Sequence, residues 1–341
     1  MNEPMAPADG SRRSATMSVV LPTDTYETIR TVVQHLGRQT VRDQLEIVIV
    51  APGAASLGLV ESELEGFADA RIVPVESLRP LGAARAAGVR SSRAPLVFIG
   101  ETHSYAHPRC AEALIEAHAG PWAAVVPGFG NINPVGLLSW SLFLLDYGLY
   151  LHTFPARETV TAPIHNVAYK RAALLELGDE LDREMAHGDQ LLVSFHARGY
   201  RTYFEPAARM DHLNVSRWAA WVSDRFQSGL LIGGRRAERW SAVRRLVYFL
   251  GAPLIPLVLL RRASRGARDA RRQGAPFGTT PALILATMVS TLGEMIGYAG
   301  KTTLDADSRL LEMELHRLPY VSPRSWANPD VLSRPLGLSN A

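Results

Sequence analysis

The sequence predicts an α/β fold with a mostly parallel sheet, followed by apolar helices that associate with a membrane. Short apolar strands alternate with amphipathic helices over residues 17–214, a pattern typical of a mostly parallel sheet covered on both faces. One apolar run ends in Glu101-Thr-His103. Two longer apolar runs lie in the last third of the chain, and arginines concentrate between Arg217 and Arg272.

The order of the elements follows from hydrophobic periodicity. Residues 17–21 form a buried strand, and Asp24 with Glu27 has the capping-box spacing of a helix start. Apolar residues then recur at i, i+3, i+4 and i+7 from Ile29 to Leu36, which predicts a helix. We expect further strands at 45–50, 71–75, 96–99, 123–126 and 201–204, and helices at 82–92, 109–119, 135–151, 172–177 and 190–198.

Composition excludes two classes of protein. Hydrophobic residues make up 47% and charged residues 20% of the 341 positions, unlike a disordered or a disulfide-built chain. Cys110 is the only cysteine, and we expect it to be a small buried hydrophobe. Residues 1–16 lack the apolar core of a signal peptide, so we expect a disordered tail in the cytosol. No nucleic-acid partner is expected.

The character of the chain changes after residue 215. Trp218, Trp221, Val222 and Phe226 form an apolar stripe among arginines, typical of a helix that lies in a membrane interface. We therefore divide the chain into a tail (1–16), an α/β domain (17–215), an interfacial helix (216–245), two membrane-associated apolar segments (246–300) and a C-terminal tail (301–341).

How the two apolar segments meet the membrane is open. The first, 246–260, contains Pro253 and Pro256; the second, 281–299, approaches the ~20 residues of a spanning helix but contains Glu294. The arginine-rich loop between them would break the positive-inside rule in a simple hairpin with a cytosolic domain. A kinked, re-entrant or interfacial first segment keeps those arginines on the anionic cytosolic leaflet. Core helices of a soluble domain are the alternative.

Glu101 and His103 are the first candidates for chemistry. Alternation along a strand would send both side chains to one side. They follow a buried strand at the sheet edge where open α/β sheets bind ligands. We expect the pair to hold a metal ion, and a solvated strand end is the alternative.

A series of short motifs then points to a family. Ser18-Val-Val-Leu-Pro-Thr23 precedes Gln39-Thr40, Ala84-Arg-Ala-Ala-Gly88, Glu101-Thr-His103, residues 166–171, Gly188-Asp189 and residues 206–212. This ordered series resembles family 2 glycosyltransferases of the GT-A fold, in a bacterial-type subgroup with Glu-x-His in place of Asp-x-Asp.

The resemblance implies a donor site. Glu101, His103 and His212 would hold a divalent cation, Mn²⁺ or Mg²⁺, and an imidazole ligand favours Mn²⁺. The donor would be a nucleotide-sugar, whose diphosphate the cation stabilises as it leaves. The residues that would contact the donor are Pro22, Thr23, Asp24, Arg85 and Glu101.

The resemblance also implies a general base, which takes the proton of the acceptor hydroxyl. Asp189 matches the family's position for this acid, and capping of the following helix is its alternative role. Glu184 is a second candidate. His165 and Asn166 either line the acceptor side or make structural hydrogen bonds.

The expected function is therefore transfer of a single sugar, with inversion, to a lipid-linked or cell-envelope acceptor at the cytosolic face of the cytoplasmic membrane. The chain lacks the Gln-x-x-Arg-Trp motif of processive relatives. Ala51-Pro-Gly53 replaces the acid that reads the nucleobase in the family, which leaves the nucleotide open. A non-catalytic scaffold is the alternative, and a nucleotidyltransferase would need a Gly-rich loop after the first strand. The sequence leaves the sugar, the acceptor and the oligomeric state open.

Overall fold

The computed structural model describes residues 14–53, 57–163, 165–186, 188–238, 240–300 and 304–326. Within these ranges a mixed sheet carries helices on its faces, and a further group of helices packs beside it. The predicted α/β fold with apolar helices on its C-terminal side is confirmed. Most of the expected N-terminal tail, residues 1–13, lies outside the described residues.

The sheet is parallel in its first half and mixed in its second. The strands are β1 (Met17–Pro22), β2 (Leu45–Ala51), β3 (Asp69–Pro74), β4 (Leu96–Ile99), β5 (Ser104–Ala106), β6 (Trp122–Asn131), β7 (Arg157–Thr159), β8 (Val167–Lys170) and β9 (Arg201–His212). Their order is β3-β2-β1-β4-β8-β6-β9-β5, with β7 also on β9. The pairs among β3, β2, β1 and β4 are parallel, whereas β8, β5 and β7 run antiparallel to their neighbours.

The helices around the sheet are α1 (Tyr26–Leu36), α2 (Leu81–Ser91), α3 (Cys110–Ala117), α4 (Leu137–Tyr147), α5 (Arg171–Leu175), α6 (Leu181–Glu184) and α7 (Gly188–Ala197). The predicted apolar face of α1 is buried. In α2, Gly88 lies against Val20 so closely that a Cβ atom there would overlap the valine side chain. Cys110, at the start of α3, is buried as expected.

The C-terminal helices form a layer of their own. They are α8 (Trp218–Ala237), α9 (Ala242–Gly251), α10 (Ile255–Arg272), α11 (Thr279–Tyr298) and α12 (Leu304–Leu315). Helices α8 and α11 run parallel, because Trp221 packs on Ala286 and Gly233 lies against Glu294 further along both helices. Each helix carries a Gly-x-x-x-Gly pair at the contact, where a Cβ atom would overlap the other backbone.

Two features of this layer differ from the sequence expectation. Trp221, expected to face a membrane interface, is fully buried, and its Nε1 donates to Ser141 Oγ of α4 at 3.1 Å. Glu294, within the second apolar run, is also buried; it accepts hydrogen bonds from Tyr298 at 2.7 Å and from Arg236 at 3.3 Å. Trp221 of the α8 stripe therefore packs between helices, whereas Trp218 is 57% exposed.

The arginine-rich half of α10 is attached to the α/β domain. Gly266 lies against Gly148 and Leu144 at the end of α4. A Cβ atom on Gly266 would overlap the carbonyl oxygen of Gly148. Thr153 Oγ1 donates to Asp269 at 2.6 Å. The arginines of this half therefore lie on the same side of any membrane as the α/β domain.

Of the predicted C-terminal tail, 301–341, the structure describes residues 304–326, which we call the C-terminal arm and which pack against the rest of the protein; residues 301–303 and 327–341 lie outside the described residues. Helix α12 returns along α8, where Ala306 packs with Leu230 and Leu231 and Asp307 pairs with Arg235 at 2.7 Å. The chain then passes over the carboxyl end of β4 and is bonded to the α/β domain through Ser325.

Candidate functional site

The Glu101-Thr-His103 segment follows β4 but does not continue it. β4 ends at Ile99, and residues 101–103 form a turn before β5. The expectation that strand alternation orients the two side chains is therefore wrong, although they do converge. His103 Nε2 lies 3.6 Å from one carboxylate oxygen of Glu101. β5 pairs with β9 so that Ser104 is opposite His212, whose Nε2 lies 3.5 Å from the other oxygen of Glu101.

Hydrogen bonds fix which nitrogen of each imidazole carries the proton. Nδ1–H of His212 donates to Asn214 Oδ1 at 2.8 Å, and the Asn214 amide is oriented by donating to Asn131 Oδ1. Nδ1 of His103 faces the hydroxyl of Thr102 at 3.2 Å, while its Nε2 accepts from an arginine. Nε2 is thus the unprotonated nitrogen of both imidazoles; in His212 it lies 3.5 Å from Glu101, and in His103 it accepts from the arginine.

Burial keeps these imidazoles neutral. It lowers the pKa of His103 well below its usual value, and the nearby Arg317 guanidinium adds to the shift. Burial also lowers the pKa of His212, against the raising effect of Glu101. Neutral imidazole is the form that binds metal ions.

The three side chains fit a divalent cation. Two neutral imidazole nitrogens and a carboxylate are ligand types that divalent cations bind in proteins. Metal–ligand bonds of about 2.1 Å place neighbouring ligand atoms roughly 3.0–3.5 Å apart. The separations between Glu101 and the two imidazoles, 3.6 and 3.5 Å, are close to that range. The ligand atoms of Glu101, His103 and His212 all lie within 4.8 Å of one another.

Asn166 holds the Glu101 carboxylate in place. Its Nδ2 donates to Glu101 Oε1 at 2.6 Å and to Ser104 Oγ at 3.0 Å, and Ser104 Oγ donates to the same carboxylate oxygen. Asn166 has a φ of 56°, a left-handed conformation that asparagine tolerates better than most residues. The structure thus gives Asn166 a positioning role next to the metal candidate.

The expected nucleotide loop lies at the end of β1, beside this cluster. Pro22 is the last residue of β1, and the Thr23 hydroxyl donates within its own turn to the Thr25 carbonyl at 2.6 Å. The Asp24 carboxylate is paired with His316 of the C-terminal arm at 2.8 Å. Asp24 therefore faces the site, while the Thr23 side chain is turned into the loop.

Arg85, expected to contact the diphosphate, is buried at the base of the site. Its guanidinium donates to the Met185 carbonyl at 3.2 Å and to His165 Nδ1 at 2.6 Å. Burial, together with Arg85, lowers the pKa of His165 to about 3. His165 Nδ1 is also 3.2 Å from Glu314, and Glu101, His165 and Glu314 form a second group with metal-ligand spacing.

The candidate bases lie on the short helices before β9. Asp189 is in the first turn of α7, but its side chain lies outside the described residues. The Glu184 carboxylate is buried and accepts hydrogen bonds from Ser194 at 3.0 Å and Arg183 at 3.1 Å. Glu184 thus ties α6 to α7, a structural role.

The sequence prediction missed the part of the site that the C-terminal arm contributes. Thr102 Oγ1 donates to the Glu314 carbonyl at 2.6 Å, and Arg317 Nη2 donates to His103 Nε2 at 2.7 Å. The i, i+4, i+7 spacing of Ala306, Leu310 and Met313 could have indicated helix α12. Nothing in the local pattern indicates that the arm reaches a turn some 200 positions earlier.

Comparison with known proteins agrees with this architecture. No protein-family model and no curated protein matches the chain by sequence. The structure of the mannosyltransferase PcManGT from Pyrobaculum calidifontis in complex with GDP-Man and Mn²⁺ aligns with 86% of this chain and 88% of its own, at a TM-score of 0.50 and 19% identity. The structure of S. aureus TarS 1–349 in complex with UDP aligns over 83% and 90%, at a TM-score of 0.44 and 14% identity. The chain shares its fold with the mannosyltransferase.

Proposed function

We propose that this chain is a metal-dependent glycosyltransferase of the family 2 type, which transfers a single sugar from a nucleotide-sugar donor with inversion. The observation that carries the proposal is the convergence of Glu101, His103 and His212 beside the nucleotide loop. The shared fold of PcManGT, whose structure contains GDP-Man and Mn²⁺, supports the same conclusion.

The chemistry follows from the residues in place. A divalent cation held by Glu101, His103 and His212 would neutralise the negative charge that grows on the diphosphate leaving group. Asp24 and Arg85 border the donor side. Asp189 is the proposed general base for the acceptor hydroxyl, which displaces the diphosphate in one step and so inverts the anomeric centre.

The test is donor turnover by the purified chain. UDP-, GDP- and dTDP-sugars are screened with Mn²⁺ by thermal shift, since a bound donor raises the apparent stability. The donor that binds is then assayed for release of nucleoside diphosphate, with and without Mn²⁺. Wild type is expected to need the metal, and His103→Ala and Asp189→Asn are expected to lose at least about tenfold in rate, as removal of one acid–base or metal group does. His196→Ala, in the last turn of α7, is the matched control.

Two results would contradict this proposal. The first is a wild-type chain that binds donors but shows no metal-dependent turnover, which is the behaviour of a non-catalytic scaffold. The second is unchanged turnover in His103→Ala, which would remove the cluster from the reaction.

We further infer that the acceptor is lipid-linked and that α9 and the first half of α10 lie in the membrane interface. Their apolar side chains point outward: Val243, Leu250 and Leu257 are more than 60% exposed. By length and composition, both the continuous segment Ala242–Arg272 and α11 could cross a membrane. However, α8 runs beside α11 and carries Asp224 and Arg225. If α11 crossed the membrane, these two charged residues would enter the bilayer, which is costly. With α9 and α10 lying in the interface, neither α8 nor α11 has to enter the bilayer.

This arrangement places the α/β domain and the exposed arginines of α10 against the same anionic leaflet, which supports a cytosolic orientation. The experiment uses the donor identified in the thermal-shift screen and compares a short-chain soluble acceptor with a polyprenyl-phosphate acceptor in vesicles. Faster transfer to the lipid acceptor supports the proposal, and equal rates in the absence of lipid would contradict it.

A further inference from the structure

Arg317 places a positive charge inside the metal cluster. Its side chain is only 11% exposed, and its Nη2 donates to His103 Nε2 at 2.7 Å. The nearest paired carboxylate is Glu314, at 3.5 Å. A nearly buried guanidinium is thus held mainly by a neutral imidazole, with a carboxylate beyond ordinary hydrogen-bond distance.

The atom that Arg317 contacts is the atom that a metal ion needs. Nδ1 of His103 is directed at Thr102, so Nε2 is the nitrogen that faces Glu101. A neutral imidazole nitrogen has one lone pair, which either accepts a hydrogen bond or binds a metal ion. Arg317 and a divalent cation therefore cannot both use His103.

The backbone around Arg317 is held on both sides. Thr102 bonds the Glu314 carbonyl, and the backbone amides of Ser216 and Arg217 bond the Tyr320 carbonyl at 3.1 Å. The arm can thus stay in place while the long Arg317 side chain turns away. A rearrangement of one side chain is a small conformational change.

We propose that Arg317 is a tethered cation that competes with the divalent metal for the Glu101–His103–His212 cluster. Binding of the metal displaces the guanidinium from His103, so the C-terminal arm sets the metal affinity of the site. This inference rests on the proposed metal role of the cluster. It assigns to Arg317 a regulatory function that the donor chemistry alone does not require.

The experiment measures Mn²⁺ affinity by calorimetry in the absence of nucleotide. Arg317→Met keeps the length of the side chain and removes the competing charge. We expect Mn²⁺ to bind about tenfold more tightly, equivalent to about 1.4 kcal/mol. Arg324→Met makes the same change at an exposed position of the arm, and we expect its affinity to equal that of wild type. Far-UV circular dichroism checks the fold, and Arg317→Gln, expected to bind more tightly as well, replaces Arg317→Met should that variant misfold.

The outcomes separate this inference from the proposed function. If wild type binds Mn²⁺ and turns over donor, but Arg317→Met binds Mn²⁺ with the same or lower affinity, the competition is refuted and the enzyme proposal stands. If neither protein binds Mn²⁺, both the competition and the proposed metal-dependent enzyme are refuted. Equal tightening in Arg324→Met would assign the effect to net charge, and would also refute direct competition.

Discussion

At the scale of single residues, His212 depends on the side-chain amide of Asn214. Because Asn214 Oδ1 accepts from Nδ1–H, it keeps Nε2 available and fixes the plane of the ring. Partners of this kind typically contribute 10–100-fold to metal affinity. We predict that Asn214→Ala binds Mn²⁺ about tenfold more weakly than wild type, as measured by calorimetry. Wild-type affinity in a folded Asn214→Ala protein would show that packing alone orients His212.

A second residue-scale prediction concerns acid stability. Burial lowers the pKa of His118 to about 4, while its Nε2 bonds the Ala168 carbonyl at 3.2 Å. Between about pH 6.5 and pH 4 the unfolded chain binds a proton that the folded chain does not, so stability falls as the pH falls. At pH 4.5 this contributes roughly 2–3 kcal/mol, since one pKa unit is about 1.4 kcal/mol.

The measurement is urea unfolding at pH 7 and pH 4.5. Wild type is expected to lose about 2–3 kcal/mol more than His118→Gln, which keeps a hydrogen-bond donor but does not titrate. Equal losses in the two proteins would mean that His118 is not the group responsible.

At the scale of elements, the contact of α8 with α11 depends on the absence of side chains. A Cβ atom on Gly229 would overlap the Ser290 carbonyl, so Gly229→Ala should destabilise by about 1–3 kcal/mol, as overpacking does. Gly251, in the last turn of α9, has no neighbour within 4 Å of such an atom. Gly251→Ala should be neutral or slightly stabilising, because alanine favours the helix. Chemical denaturation compares the two, and equal effects would contradict close packing at Gly229.

The sequence predicted long periodic elements well and short ones poorly. The strands β1 and β2 and helix α1 appeared as unbroken apolar runs or a clear helical period, and β4, although only four residues long, is a run of four apolar residues. β5, β7 and β8 are three or four residues long and exist because neighbouring strands pair with them, so a local pattern cannot reveal them. The apolar stripe correctly predicted that α8 is a helix, but periodicity does not show whether an apolar face contacts a membrane or another helix.

For the candidate site, the prediction depended on chain order rather than on distance. Glu101 and His103 were named because they follow a buried strand, and His212 because the family resemblance implies it; the structure brings the three together. Asn214 was missed as a partner of His212, although it lies two residues away. Arg317 could not be predicted, since the return of α12 along α8 is a tertiary contact between distant segments.

At the scale of the whole molecule, the exposed apolar surface of α9 and α10 predicts membrane binding. We expect wild type to cosediment with phosphatidylcholine vesicles, and more strongly when phosphatidylglycerol is added, because the α10 arginines favour anionic lipid. Val247→Glu with Leu250→Glu should weaken binding by about a hundredfold or more, from roughly 1.5 kcal/mol or more per side chain.

The control for vesicle binding is Val160→Glu with Val193→Glu, which makes the same type of change at exposed positions of the α/β domain. These variants should bind vesicles like wild type. Equal loss in both pairs would assign the effect to net charge and would contradict an apolar docking surface on α9.

The order of synthesis separates the Glu101–His103–His212 cluster from Arg317 in time. His212, the last of the three cluster residues to be made, leaves the ribosome about a hundred residues before Arg317, and at roughly 5–20 residues per second this interval is on the order of 5–20 s. Helices α8 to α11 emerge within that interval. Under the proposed competition, the cluster of a nascent chain can therefore bind Mn²⁺ before Arg317 is synthesised.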